Sequence, residues 1–385
     1  MGVSSGASVI ISQFYGARKG EEVSRSVHTT VMLAILSGAV LTVLGMVFSE
    51  SVLLLMGTPP EVMEYALSYI HIYFLGMIPS LIYNIGSGIL RAVGDSRRPL
   101  FFLICATMTN IVLDVLFVLG FNWGVAGAAI ATVGSQVLSA VLVVITLRNA
   151  PSTYRLHLRR LKIHRDMLMR IVRIGLPAGL QSVMYSLSNI IIQAGVNGFG
   201  TDTMAAYTAY GKLDGLYWMT INAFGVAITT FVGQNFGARH YDRMKKSIHI
   251  CLAIAAGVTL VMSAFMLLTG RQLLSLFTDD AQVLDTGCAM IRLIVPTFIT
   301  YIFIEILSGA MRGAGDSFVP TMMTLTGVCL LRVFWVMFIV PMHRELNTLL
   351  LSYPVTWIIT SAMFLVYYLR GKWLTRCIAM QERQE

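Results

Sequence analysis

The stretch Ser87-Gly-Ile-Leu-Arg-Ala-Val-Gly-Asp-Ser96 returns as Ser308-Gly-Ala-Met-Arg-Gly-Ala-Gly-Asp-Ser317, 221 residues further on. The same offset carries Gln13 to Gln234, Gly16-Ala17-Arg18 to Gly237-Ala238-Arg239, His28 to His249 and Pro99 to Pro320. One ungapped register from about Gln13 to Pro99 is an internal duplication, so both copies must satisfy one fold. Met1 pairs with Asn222, while the second copy begins near Arg165, which leaves about 57 residues of that copy without an upstream partner. The first repeat is therefore expected to lack its first helix and most of its second.

Hydrophobic residues form 56% of the chain and charged residues 12%, too few to give 385 residues a polar surface, so the chain is expected to lie in a membrane. Apolar segments long enough to cross a bilayer fall near 24–48, 64–90, 98–120, 124–147, 171–199, 203–232, 246–269, 285–309, 318–341 and 349–369, after a stub at 1–13. The net charge of +9 invites a nucleic-acid reading, but its placement argues against one. Alternate connections hold 23 of the 28 Lys and Arg, and the opposite set holds only Arg271 and Arg344. That asymmetry marks the rich set as cytoplasmic, so the charge reports topology and no nucleic-acid partner is expected. The five cysteines are scattered with no metal-ligand or disulfide spacing, and the start has no signal-peptide pattern.

Six spans between 171 and 369 return the second copy to its starting side, so the copies are expected to share one orientation. The fold class is all-α and polytopic, two parallel six-helix repeats (the first incomplete) around a central cleft, which is a transporter architecture. The expected organisation is an amino-terminal lobe over 1–148, a basic cytoplasmic linker over 149–168, a six-helix lobe over 169–370 and a cytoplasmic tail over 371–385. The repeated loop reads as helix-end chemistry. Arg91 and Arg312 complement a helix C-terminus, Gly94 and Gly315 suit a left-handed cap, Asp95-Ser96 and Asp316-Ser317 can cap the next helix, and Pro99 and Pro320 fit its first turn.

Together, Ser12-Gln13 with Gly16-Ala17, Gly233-Gln234 with Gly237-Ala238, and Arg-x-x-Gly-Asp-Ser in both halves resemble the multidrug and toxic-compound extrusion (MATE) family. Asn110-Ile-Val-Leu-Asp114 and Gly124-Val-Ala-Gly-Ala-Ala-Ile-Ala-Thr132 extend the resemblance over essentially the whole chain. It implies a plasma-membrane antiporter of two six-helix lobes that exports organic cations and other drugs against Na⁺ or H⁺. The family's first helix usually carries an acidic residue of the cation site, and here no position can receive it.

Asp114 carries the most weight among interior charges. It lies about 15 residues, roughly 22 Å, along a helix entering from the cytoplasm, with Asn110 on the same face. Thr132 is about 12 Å into the next helix, at similar depth. Carboxylate, amide and hydroxyl make an all-oxygen set suited to Na⁺, and an intramembrane carboxylate must hold a cation or a proton. The resemblance assigns these same three positions to cation binding; the bland alternative is that Asn110 and Asp114 only hold helices together.

The second lobe has Trp335 where the offset would place an acid, and carries Lys212, Asp214 and Arg332 instead. Asp214 and Arg332 could pair across helices, as a relay, a substrate contact or a satisfied ion pair. Glu305 and Arg292 read as interfacial. Tyr185, Tyr207, Tyr210, Tyr217 and Trp218 offer aromatic faces to a cation, although interface aromatics are the commoner explanation.

The leading expectation is thus a monomeric secondary antiporter for amphipathic organic cations, needing no cofactor beyond its coupling ion, with its carboxy terminus cytoplasmic. A lipid-linked precursor flippase of the same superfamily would need a groove lined with several Arg or Lys. An inactive truncated transporter is the third reading. No nucleotide-binding loop, zinc-protease motif or nucleophile motif points to an enzyme.

Overall fold

The computed structural model describes residues 2–382, and every regular element among them is helical. The chain forms two compact units, Val3–Val172 and one beginning at Arg173. Eight helices are long and apolar enough to cross a membrane, or nine if the bent pair described below counts as one. The remaining expected span lies in α7 (Arg165–Asn197), which is long enough but too polar to count on apolarity alone.

In the first unit, α1 (Gly2–Gly16) leads into α2 (Gly20–Leu55), whose first turn holds Glu21 and Glu22 against the positive end of its dipole. The segment expected as one span at 64–90 is two helices, α3 (Pro60–Leu75) and α4 (Met77–Ala92), bent by 45° at Gly76. Pro79 has no N–H for the Leu75 carbonyl, which opens the ladder where Gly76 already weakens it. Then α5 (Arg97–Asp114) continues as a π-helical stretch, Val115–Gly120, and α6 (Gly124–Arg148) returns. Val23, Val27 and Val31 of α2, Ile85 and Ile89 of α4, and Val143 and Leu147 of α6 share one core.

The segment after α6 is built into that unit rather than left loose. Tyr154 and Leu156 are buried in the same core, and Arg25 pairs with Asp166 at 2.9 Å. His28 Nδ1 lies 2.7 Å from the Ser24 carbonyl, and its Nε2 accepts the His157 backbone N–H at 3.1 Å. The Thr29 hydroxyl likewise accepts the His164 N–H at 3.1 Å.

The second unit repeats the plan. After α7 come α8 (Thr201–Gly237) and α9 (Tyr241–Leu274). The fourth span is broken like α3–α4, into α10 (Ala281–Ile294) and α11 (Phe298–Gly313) around a 3₁₀ turn at Val295–Thr297 that contains Pro296. The fifth span holds α12 (Phe318–Thr324), a π stretch at Leu325–Leu330, α13 (Leu331–Phe334) and a second π stretch at Trp335–Ile339. It is followed by α14 (Leu346–Leu350) and α15 (Ser352–Leu369). The tail residues Lys372–Glu382 form α16, which buries Trp373 and Cys377 against this lobe's core.

Backbone geometry repeats at the 221-residue offset. Arg18 and Arg239 have φ of 59° and 60°, and Gly94 and Gly315 have φ of 98° and 96°, the left-handed caps expected. The capping side chain is the aspartate and not the serine: Asp95 accepts the Arg98 N–H and Asp316 the Val319 N–H, each at 3.2 Å.

Candidate functional site

Asp114 is the last residue of α5, where the helix changes from α to π hydrogen bonding; Phe121 N–H reaches back to the Leu116 carbonyl. Such single-turn π segments recur at functional sites in helices. The packing of α6 on this helix is set by two glycines. A Cβ on Gly134 would lie 3.1 Å from Leu113, and one on Gly127 would lie 3.1 Å from the Phe117 backbone. Between those two contacts Thr132 falls level with Asp114.

The Asp114 Oδ1 and Asn110 Nδ2 atoms are buried and have no hydrogen-bond partner. Thr132 donates to the Ala128 carbonyl at 3.0 Å, which leaves its oxygen lone pairs free to accept or ligate. Asp114 and Thr132 therefore offer oxygen atoms to a cation, whereas the unpartnered atom of Asn110 is a donor nitrogen; a buried carboxylate oxygen without a donor needs a cation or a proton. Among the described residues no cluster of three His, Cys, Asp or Glu could hold a metal, so a transition-metal centre is not what this set resembles.

Gln136, one turn beyond Thr132, was not singled out from the sequence. Its Oε1 is also buried without a partner, and it sits where a Cβ on Gly76 would lie 2.7 Å away. An amide in so apolar a helix was the available signal.

In the second lobe, Asp214 and Arg332 are not within the 4.0 Å of an ion pair. The Asp214 carboxylate instead accepts the Trp218 indole N–H at 2.7 Å and the Tyr210 hydroxyl at 3.2 Å, both one turn along α8. Arg332 is 2% exposed and stacks over the Tyr353 ring at 4.4 Å. Tyr353 hydrogen-bonds through its hydroxyl to Tyr207 at 2.7 Å. Tyr185 meets Tyr301 at 3.2 Å, and Tyr301 packs edge-on to Trp218. Asp214, Arg332, Tyr210 and Tyr185 thus belong to one aromatic network, whereas Lys212 is exposed on another face of α8.

Glu305, expected at an interface, is only 14% exposed. It lies 3.9 Å from Arg312, and its carboxylate occupies the space that a Cβ on Gly225 would need.

The apolar helices and the repeated plan define a multi-pass helical membrane protein. The MatE family model matches residues 1–116 and 177–337, and the chain belongs to that family, the MATE transporters. Its relatives include the probable multidrug resistance protein YoeA of Bacillus subtilis, 29% identical over 390 residues, covering 98% of this chain and 84% of that protein. The probable multidrug resistance protein NorM of Thermotoga maritima is 26% identical over 399 residues, covering 99% and 83%. Among solved structures, an outward-facing multidrug resistance MATE family transporter of the MOP superfamily superposes with a TM-score of 0.89 at 23% identity. It covers 99% of this chain and 84% of its own, a likeness that shows the fold.

Proposed function

We propose that this protein is a secondary antiporter that exports amphipathic organic cations or drugs in exchange for Na⁺ or H⁺. Asn110, Asp114 and Thr132 form its ion-coupling set. The observation that carries the reading is the unpartnered, buried Asp114 oxygen at the depth of Thr132. Relatives named for multidrug resistance and multidrug export support the substrate class.

Occupation by Na⁺ or H⁺ neutralises Asp114, weakens the attraction for a cationic substrate and favours its release; loss of the ion restores that attraction. Coupling of this kind requires only that the two ligands compete for one charge. Tyr210, Tyr185, Asp214, Arg332 and Lys212 are the second-lobe candidates for relay or substrate contact. The protein would act as a monomer in the cell membrane with 149–168 and the carboxy-terminal tail cytoplasmic, as the Lys and Arg distribution favours. Against the flippase reading, which needs several Arg or Lys in one groove, the second lobe offers only Lys212 and Arg332 as candidates, and Arg332 is buried.

The test is uptake of a fluorescent organic cation into proteoliposomes under an imposed Na⁺ or H⁺ gradient. One of the gradients should drive accumulation in the wild type, and the Asp114→Asn variant should lose it. Equal accumulation by the variant removes Asp114 from the coupling.

A further inference from the structure

The offset that relates the two copies carries Thr132 to Tyr353 and Gln136 to Trp357, so the fifth and sixth spans of the second lobe stand where the first lobe holds its cation set. The two spans are again closely packed, here through a glycine of the fifth span: a Cβ on Gly327 would run into the Thr360 side chain, and Arg332 lies level with Thr356. The chemistry is inverted. Where the first lobe has an unpartnered buried oxygen of Asp114 beside the Asn110 amide, the matching spans of the second have buried donors without an acceptor.

Three such donors belong to the neighbours of Tyr353: Ser352 precedes it in α15, and Arg332 and Trp357 pack on its ring. Arg332 Nε, Trp357 Nε1 and Ser352 Oγ are all buried without a hydrogen-bond partner. Their residues are 2%, 1% and 0% exposed. Arg332 and Trp357 both pack on the Tyr353 ring, the guanidinium at 4.4 Å and the indole at 5.5 Å. Arg332 approaches the Thr356 hydroxyl at 3.5 Å, and that hydroxyl itself donates to the Ser352 carbonyl at 2.6 Å. Asp214, the acid of this network, spends its oxygens on Tyr210 and Trp218. A guanidinium cannot shed its proton, and a buried one with no carboxylate in ion-pair contact is costly unless an anion accompanies it.

We propose that the second lobe binds a small monoanion, a carboxylate or a halide, at Arg332, with Trp357 Nε1 and Ser352 Oγ as neutral donors. This rests on the reading of Arg332 as a second-lobe ligand contact and not on ion coupling at Asp114. A monovalent anion suits the site because Arg332 supplies one charge and the other donors are neutral. A substrate carboxylate and inorganic chloride would present the same chemistry, and the experiment separates them.

Purified full-length protein in detergent is titrated with radiolabelled benzoate, and separately with chloride followed by ³⁵Cl line broadening. Sodium and ionic strength are held constant with methanesulfonate, which is neither a carboxylate nor a halide. Saturable benzoate binding assigns a carboxylate site, and saturable chloride broadening that benzoate does not displace assigns a halide site. Either should weaken more than tenfold in Arg332→Gln, with the fold checked by circular dichroism and size exclusion. Trp357→Phe keeps the ring packing and should weaken binding severalfold, which keeps the test decisive if Arg332→Gln does not fold. The proposal is overturned if neither anion binds the wild type. It is equally overturned if Trp357→Phe and every folded Arg332 variant bind as the wild type does. Transport assays do not enter, so failure here leaves the Asp114 reading standing, and failure there leaves this one.

Discussion

The two lobes are copies of one plan that have kept their backbone and exchanged their charges. Both break the fourth span at the same level, Gly76 in one and the Val295–Thr297 turn in the other, and both enter a π stretch at the fifth-span level of Asp114 and Trp335. Both turn on left-handed residues at Arg18 and Arg239 and at Gly94 and Gly315. Yet the carboxylate at 114 becomes an indole at 335, and the second lobe's interior charge moves to Arg332 and Asp214. The scaffold is fixed by backbone hydrogen bonds and close packing, which a membrane enforces on every copy. The site side chains are under no such constraint, so one fold can hold two polarities.

That comparison can be broken in a graded way. The largest effect expected is on coupling. Asp114→Asn should reduce gradient-driven accumulation by on the order of tenfold or more, the loss that about 1.4 kcal/mol produces. Asp214→Asn, whose carboxylate already has two donors, should reduce it less. Equal losses would mean the lobes share the coupling role.

Packing gives the next effect. Gly313 corresponds to Ala92, so the first lobe already accepts a methyl group there. In the second lobe a Cβ at Gly313 would lie 2.5 Å from the Thr229 carbonyl oxygen. Gly313→Ala should therefore destabilise by about 1–3 kcal/mol, read as a lower thermal midpoint in detergent. An unchanged midpoint would show that the lobes pack this face alike.

A smaller, local effect separates the linker from the tail. Burial, then the charge of Arg160 and neighbouring His28 and Arg155, holds His157 below the ordinary 6.5. Burial and then Arg25 lower His164 in the same direction. A histidine depressed in the folded state contributes its stability above the unfolded value and loses it as pH falls through the folded one. Hydrogen exchange over 155–166, corrected for intrinsic rates, should therefore rise severalfold between pH 7.5 and 5.5. Over α16, which has no histidine, it should not change. The smallest effect belongs to the half-exposed Arg25–Asp166 pair, where Asp166→Asn should cost less than about 1 kcal/mol of stability.

The sequence carried most of the scaffold because duplication and apolar length are written in it directly. Nine of the ten expected spans, counting the bent pair as one, their order and the left-handed caps at Gly94 and Gly315 were legible. Other features depend on three-dimensional neighbours. The break at Gly76 was hidden because Pro79 sits within an apolar run. The Asp214–Arg332 pairing failed because Trp218 and Tyr210, one turn away on the same helix, reach Asp214 first. Glu305 looked interfacial from its distance to the helix end, but Gly225 opens a place for it inside. Gln136 and Trp357 became visible only when their polar atoms were found buried and unpartnered.

The most direct test of the account is to separate exchange from accumulation in the Asp114→Asn protein. In proteoliposomes loaded with unlabelled cation and no ion gradient, the variant should still exchange labelled substrate, because the rest of the transport machinery is intact. Under an ion gradient it should fail to accumulate substrate above equilibrium. Accumulation at the wild-type level would contradict the assignment of coupling to the first lobe.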